Sequence, residues 1–360
     1  MEEDSGRAFF RTIVEYLGDS FEPRLCDTYV RLFARVIEVV HPAMRATHTV
    51  QRYERIRRPH TCDRDPARVY VLSRVTLGAD VAVTSIIFDA AKRRFPNAEI
   101  HLVGPRKNWE LFANDPRIHH HPFVYPRAGS MRERLSTWPT FDDPNCIVID
   151  PDSRLSQLGL LPVSPEANYF FFESRAYGGD ADATLVQLTR QWLREVFEIE
   201  NARAYIAPRP GPVTAKIAVS LGVGDNPEKR LAGAFEEELL KMLAGTGKRV
   251  LIDQGAGEEE TNRVQQLCER VPGVESWNGA YAPFAHAIAN AQLYIGYDSA
   301  GQHVAAACGT PLISIFAGYT SERMFQRWRP DGAGRIQVIK VSAGDPPEAI
   351  LAEIRQNLTL

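Results

Sequence analysis

The sequence predicts an α/β protein made of two parallel-sheet lobes, doubly wound, with a cleft between them. Three observations carry this. Short apolar runs alternate with amphipathic helical segments in two separate series, the pattern of βαβ units. A proline-rich stretch divides the two series. A chain of 360 residues is long for one core and suits two domains.

The elements follow in order. Residues 1–66 read as a helical extension, with Phe9, Phe10, Ile13, Val14 and Leu17, then Tyr29, Val30, Phe33, Val36, Ile37 and Val40 at helical spacing. It ends in a basic run, Arg45, Arg52, Arg55, Arg57, Arg58 and His60. That run suits a solvated helix face or, as the sharper alternative, peripheral contact with a membrane surface or a phosphorylated group. Residues 67–208 form the first lobe, with strands over 69–75, 99–104, 145–150 and 167–174 and helices over 81–95 and 184–197. The segment YIAPRPGPVT (205–214) is linker chemistry.

Residues 209–344 form the second lobe. Its strands fall at 216–222, 248–255, 291–298 and 311–318. Helices cover 231–244, 258–270 and 281–290, and a further one opens within DSAGQHVAAACGTP (298–311). Residues 345–360 make a closing helix, with Asp345 at the N-cap and prolines in the first turn.

Composition bounds the function. Hydrophobic residues make up 44%, charged residues 24%, and the net charge is -3, so no global basicity draws nucleic acid. Five cysteines, at 26, 62, 146, 268 and 308, lack a C-x-x-C pair and read as thiols of a reducing cytoplasm. The acidic, interrupted N-terminus has no signal-peptide pattern, and no stretch approaches the roughly 18 uncharged apolar residues of a membrane span. The protein is therefore expected in the cytoplasm.

In a parallel sheet, ligands bind beyond the carboxyl ends of the strands. Asp298, Ser299, Ala300 and Gly301 fall there, at the start of a helix whose N-terminus carries about half a positive charge and unpaired N–H groups. Ser299 can offer a hydroxyl and His303 a ring N–H to a bound phosphate; the plainer alternative is a capped helix with a packed histidine. In SLGVGDNPEKR, a turn opening at Gly222 precedes Lys229 and Arg230, which suits a diphosphate. In DQGAGEEETN, Gly255 and Glu259 suit a ribose diol, although acids in a first helical turn are ordinary helix chemistry. Asp80, at the mouth of the first β-turn-α beside Gly78, has no cationic partner nearby in sequence. It can be a general base toward a hydroxyl, or a helix cap.

These motifs together resemble glycosyltransferase family 9, which includes the lipopolysaccharide heptosyltransferases. DSAGQHVAAACGTPLISIFAG is similar to the family's D-[ST]-G-x-x-H-x-A-A-x-x-G-x-P signature, and LGADVAVTSIIFDAAKRRFPNAEIHLVG to its N-terminal G-D block. The resemblance covers about 69–320. It implies a GT-B fold of two Rossmann-like domains, the first for the acceptor and the second for a nucleotide-diphosphate sugar, with ADP-heptose as the first donor to consider.

By motif position Asp298, Ser299 and His303 fall on the diphosphate loop, Lys229 or Arg230 supplies the cation, and Asp80 is the base of an inverting transfer. Developing charge on the leaving group is met by a helix terminus and cations, so neither metal nor cofactor is implied. The chain departs from the family where Ala300 replaces glycine and Gly301 follows it, where Ala79 separates Gly78 from Asp80, and where Ser85 and Ile86 occupy the usual proline region.

Other groups complete the expectations. His119, His120 and His121 alternate across a strand with no completing acid, so no metal site is expected. Glu173, Arg175 and Tyr177, beside aromatics and two glycines, make a candidate sugar-contacting loop, or a buried edge strand and turn. Tyr297 and Tyr319 can contact base or sugar, or simply pack. The acceptor, whether glycan, lipid, protein or small metabolite, and the oligomeric state leave no mark in the sequence. Two other functions fit the same fold: a nucleotide-sugar epimerase or hydrolase, and a catalytically silent sugar-nucleotide binding protein.

Overall fold

The computed structural model describes residues 13, 16–126, 129–224, 226–231 and 233–358. Phe9, Phe10 and Val14 lie outside the described residues. The chain divides into two compact units. The first takes in residues up to Trp109, Asp115–Arg203 and Ser321–Trp328; the second takes in Glu110–Asn114, Ala204–Thr320 and Arg329–Leu360.

The first unit holds a parallel five-stranded sheet: β1 (Arg68–Leu72), β2 (Glu99–Gly104), β3 (Ile118–Pro122), β4 (Cys146–Asp150) and β5 (Tyr169–Phe171), in the order β3-β2-β1-β4-β5. Residues 146–150 of β4 are all buried, as expected of a strand covered on both faces. The helices of this unit include α1 (Pro23–Val40), α2 (Ala46–Ile56), α3 (Ser85–Arg94), α4 (Met131–Ser136) and α5 (Leu185–Phe197). Pro23 opens α1 where its missing N–H costs nothing.

The N-terminal helices are not an appendage. Tyr29, Phe33 and Ile37 of α1 and Tyr53 of α2 share one apolar cluster with Leu72, Val148 and Phe171 of the sheet. The basic run is likewise consumed inside the unit. Arg57 pairs with Glu173 at 2.9 Å and Asp27 at 2.7 Å, Arg55 with Glu166 at 2.7 Å, and Arg45 with Glu38 at 3.0 Å. Arg52 donates to the Gly159 carbonyl, and His60 stacks on Phe170. Within the unit these side chains have partners, although Arg45 and Arg55 stay more than half exposed and Arg58 is exposed.

The second unit holds a parallel six-stranded sheet, β6 (Ile217–Ser220), β7 (Val250–Asp253), β8 (Val274–Trp277), β9 (Leu293–Tyr297), β10 (Leu312–Phe316) and β11 (Ile336–Lys340), in the order β11-β10-β9-β6-β7-β8. Its helices are α6 (Phe235–Ala244), α7 (Glu258–Arg270), α8 (Tyr281–Ala289), α9 (Ala300–Cys308) and, after α10 (Glu322–Trp328) of the first unit, α11 (Pro347–Asn357). Asp345 does not cap α11. Pro346 holds that position, and Asp345 instead accepts from the Ser342 N–H at 2.7 Å, closing the preceding turn.

Arginines hold α10 to the first unit. Arg327, only 2% exposed, donates to the carbonyls of Gly179, Ala181 and Ala183 at 2.7–2.8 Å. Arg323 pairs with Glu22 at 3.1 Å and donates to the Gly179 carbonyl at 2.9 Å.

Candidate functional site

In the second unit the strand order reverses between β6 and β9, the place beside whose carboxyl ends doubly wound sheets bind ligands. The loop after β6 carries Lys229, and the loop after β9 is Asp298–Ser299. Ser299 takes the N-cap position of α9 in extended backbone, yet no side chain caps the helix. Its hydroxyl lies 3.3 Å from that of Tyr294.

Asp298 turns to other partners. One oxygen accepts from Lys229 Nζ at 2.7 Å and the other from Gln302 Nε2. Lys229 also donates to the Asp298 carbonyl at 3.1 Å, leaving the third proton of its ammonium. An uncapped helix N-terminus beside a lysine is chemistry for a phosphate.

His303 is buried one turn into α9, and burial pushes its imidazole down to about 4. At neutral pH it is an uncharged hydrogen-bonding group, not a cation. Glycine at 301 has a local reason: a Cβ there would lie 2.2 Å from the Tyr294 hydroxyl oxygen and 2.4 Å from its ring. Ala300 is the first residue of α9. At Gly318, φ is +63° and a Cβ would lie 2.5 Å from the Glu228 backbone, so the loop after β10 packs directly on the turn that presents Lys229.

The glycine-rich loop after β7 differs from expectation. Glu259 is exposed, and Glu260 is the acid that turns inward. Its carboxylate accepts from the N–H groups of Val223 at 2.8 Å and Gly224 at 3.2 Å, and lies against Gly222 and Gly255. Glu260 thus knits the loops after β6 and β7 together, one helical step beyond the residue the sequence singled out. Arg230 is exposed, 3.7 Å from Glu236. Tyr297 is buried and donates to Glu236 at 3.2 Å, a packing role, whereas Tyr319 lies under the Lys340 ammonium.

The first unit has its own reversal, between β1 and β4. A cavity of about 220 Å³ is lined by residues that follow those two strands, Arg74, Thr76 and Ala79 after β1 and Arg154 after β4. Arg175, one of the residues expected to meet a sugar, lines it too. Glu173 and Tyr177 do not: Glu173 is buried between Tyr53, at 2.7 Å, and Arg57, while Tyr177 packs on Phe172. Gly78 sits in a short turn between lining residues 76 and 79. Neither Arg74 nor Arg154 stands in a motif, which is why sequence reasoning passed over them.

Asp80 does not open to solvent as expected. The helix begins three residues earlier, at Leu77, and Asp80 falls at its first π-helical turn, a five-residue widening. Its carboxylate has no exposed surface and accepts four hydrogen bonds: from Ser73 Oγ, Thr84 Oγ1 and Asn108 Nδ2 at 2.6 Å each, and from the Arg74 N–H at 2.7 Å. Burial pushes its pKa up, against the pull of these donors. In this arrangement Asp80 anchors the turn that delivers Arg74 to the cavity.

Residues 212–340, within the second unit, match the family model of glycosyltransferase family 9 (heptosyltransferase). Over 104 residues the chain is 34% identical to lipopolysaccharide heptosyltransferase 3 of Escherichia coli, a match spanning 28% of this chain and 29% of that protein.

Among solved structures it resembles E. coli heptosyltransferase WaaC with ADP, at TM-score 0.57 and 17% identity over 81% of this chain and 99% of that one. A family 9 glycosyltransferase from Veillonella parvula aligns at TM-score 0.57 and 16% identity, over 83% of this chain and 92% of that one. The likeness to these structures is one of fold, and the fold is GT-B, two Rossmann-like parallel-sheet units. No helix among the described residues is long and apolar enough to cross a membrane.

Proposed function

We propose that the protein is an inverting glycosyltransferase. It would transfer a sugar from a nucleotide-diphosphate donor to an acceptor hydroxyl, with the donor diphosphate seated at the start of α9. The observation that supports this most directly is the uncapped N-terminus of α9 with Lys229 held beside it by Asp298. As the bond to the anomeric carbon breaks, charge grows on the departing diphosphate. Fixed N–H dipoles and an ammonium stabilise that charge without reorganising. His303, held neutral, supplies a hydrogen bond and no charge. This chemistry calls for neither a resident cofactor nor a metal.

ADP-heptose is the first donor to test, because the family description names heptosyltransferases and a solved structural relative was seen with ADP. The match to a lipopolysaccharide heptosyltransferase favours a glycan acceptor and a place at the cytoplasmic side of the membrane. Asp80 occupies the base position that the resemblance implies. With its oxygens fully engaged, it takes a proton only if the 73–75 turn opens.

A thermal-shift screen of ADP, UDP, GDP and their sugars tests the donor site, since a native-state ligand raises stability by RT ln(1 + [L]/Kd). A shift with one nucleoside diphosphate, reduced in Lys229→Ala, supports the reading, and no shift with any nucleotide overturns it. Release of sugar from the donor without added acceptor would point instead to an epimerase or hydrolase.

A further inference from the structure

We propose that the exposed face of α1 docks on an anionic bilayer surface. Arg24, Arg31 and Arg35 would meet lipid phosphates, and Leu32 and Val39 would enter the headgroup boundary. The inference does not depend on the transfer reading, since none of these residues belongs to the donor site or lines the cavity after β1 and β4.

The face follows from the helical repeat. Tyr29, Phe33 and Ile37 turn into the core, so Arg24, Thr28, Arg31, Arg35 and Val39, three or four residues apart, turn out to water with Leu32 beside them. Among the described residues, four large apolar side chains stand exposed, and three of them fall here: Val39 at 80%, Leu32 at 41% and Tyr16, ahead of the helix, at 64%. Single exposed apolar residues are ordinary. These adjoin a ridge of arginines, and that changes what they can do.

Charge decides what covers the face. Every acid from Asp19 to Glu54 is held by a partner: Asp19 by Arg175, Glu22 by Arg323, Asp27 and Glu54 by Arg57, and Glu38 by Arg45. Arg24, Arg31 and Arg35 have no ion pair among the described residues, and Nε of Arg31 donates only to the Asp27 carbonyl at 3.3 Å. Three uncompensated guanidinium groups thus stand along about 16 Å of helix. Lipid phosphates complement them, while the arginine stems and the two aliphatic side chains reach toward the acyl boundary, as in an interfacial amphipathic helix. With its other face buried in the unit, α1 can lie on a bilayer and not span it. A second copy docking face to face would bring arginine to arginine, and nucleic acid would leave the apolar residues in water.

The test uses the full chain and sedimentation with vesicles of phosphatidylcholine, alone or with about one third phosphatidylglycerol. Wild type is compared with Arg24→Gln/Arg31→Gln/Arg35→Gln and with Leu32→Gln/Val39→Gln, and unfolding midpoints and ADP-induced thermal shifts are recorded for all three. Wild type should bind the anionic vesicles and not the neutral ones, and binding should fall as salt rises. At about fivefold per arginine, the triple variant should bind about a hundredfold more weakly. The double variant should bind about tenfold more weakly. Unfolding midpoints should stay near that of wild type, because the replaced side chains face solvent.

No binding to anionic vesicles, equal binding to neutral ones, or equal affinity in wild type and the triple variant overturns the proposal. Loss in the arginine variant alone marks the partner as a bare polyanion or an acidic protein, and likewise overturns it. So does a wild-type dimer that separates in Leu32→Gln/Val39→Gln, which would assign the face to a second copy. The ADP shift, read on the same samples, stands or falls separately and reports only on the donor site.

Discussion

The Lys229 ammonium stands 2.7 Å from the Asp298 carboxylate, tying the loop after β6 to the loop after β9 on either side of the strand-order reversal. An ion pair in that position does two things. It fixes the cation at the loop that opens α9 with one ammonium proton left over, and it keeps the cation from being a bare charge before a ligand arrives.

Replacing Lys229 by alanine should therefore weaken nucleoside diphosphate binding about 10- to 100-fold, the range of a charge-assisted contact. Titration calorimetry with ADP reads this directly. Equal affinities would remove Lys229 from the donor site.

The ring of Tyr294 fills the space where a side chain at 301 would sit. Gly301→Ala should cost about 2 kcal/mol through overpacking. In a Tyr294→Ala background the same change should cost close to nothing, a coupling that denaturant unfolding of the four proteins measures. Additive costs would mean that the ring is not what excludes the Cβ.

For His303 the pH dependence has a definite sign. Its pKa lies near 4 in the fold against 6.5 for the unfolded chain. Between those values the unfolded state binds more protons, so stability is fully present above about pH 6.5 and is lost as pH falls toward 4. His303→Gln should flatten that part of the stability profile, and an unchanged slope would locate the effect elsewhere.

Asp80→Asn replaces an acceptor of four hydrogen bonds by a group that must present two donors to them. The variant should lose about 2–3 kcal/mol of stability. A variant as stable as wild type but without turnover would instead favour a base that the resting structure conceals.

Much of the fold was legible because buried parallel strands are unbroken apolar runs: VYVLSRV, EIHLVG, NCIVID and LYIGY each contain one. Strands β8 and β11 were missed because VESW and IQVIK are polar, partly exposed edges without that mark. The place of 298–299 at a strand end is legible from the apolar pattern, and Lys229 reaches that loop. Which of Glu258, Glu259 and Glu260 turns inward is not legible, because three consecutive acids in a first helical turn differ only in phase, which the backbone decides. The cavity arginines at 74, 134, 154 and 175 come from four separate segments. Nothing local marks them as a set; only the β1–β4 reversal brings them together.

The return of α10 to the first unit bears on how this polypeptide can be divided. Met324 and Trp328 line the cavity, yet they lie more than a hundred residues beyond the last other segment of that unit. A gene fragment stopping at the proline-rich stretch would encode every strand of the first sheet and omit part of the cavity wall, along with the arginines that cover the carbonyls of Gly179, Ala181 and Ala183. The first unit is therefore not a transferable module: recombination at that seam would separate a cavity from residues that complete its wall.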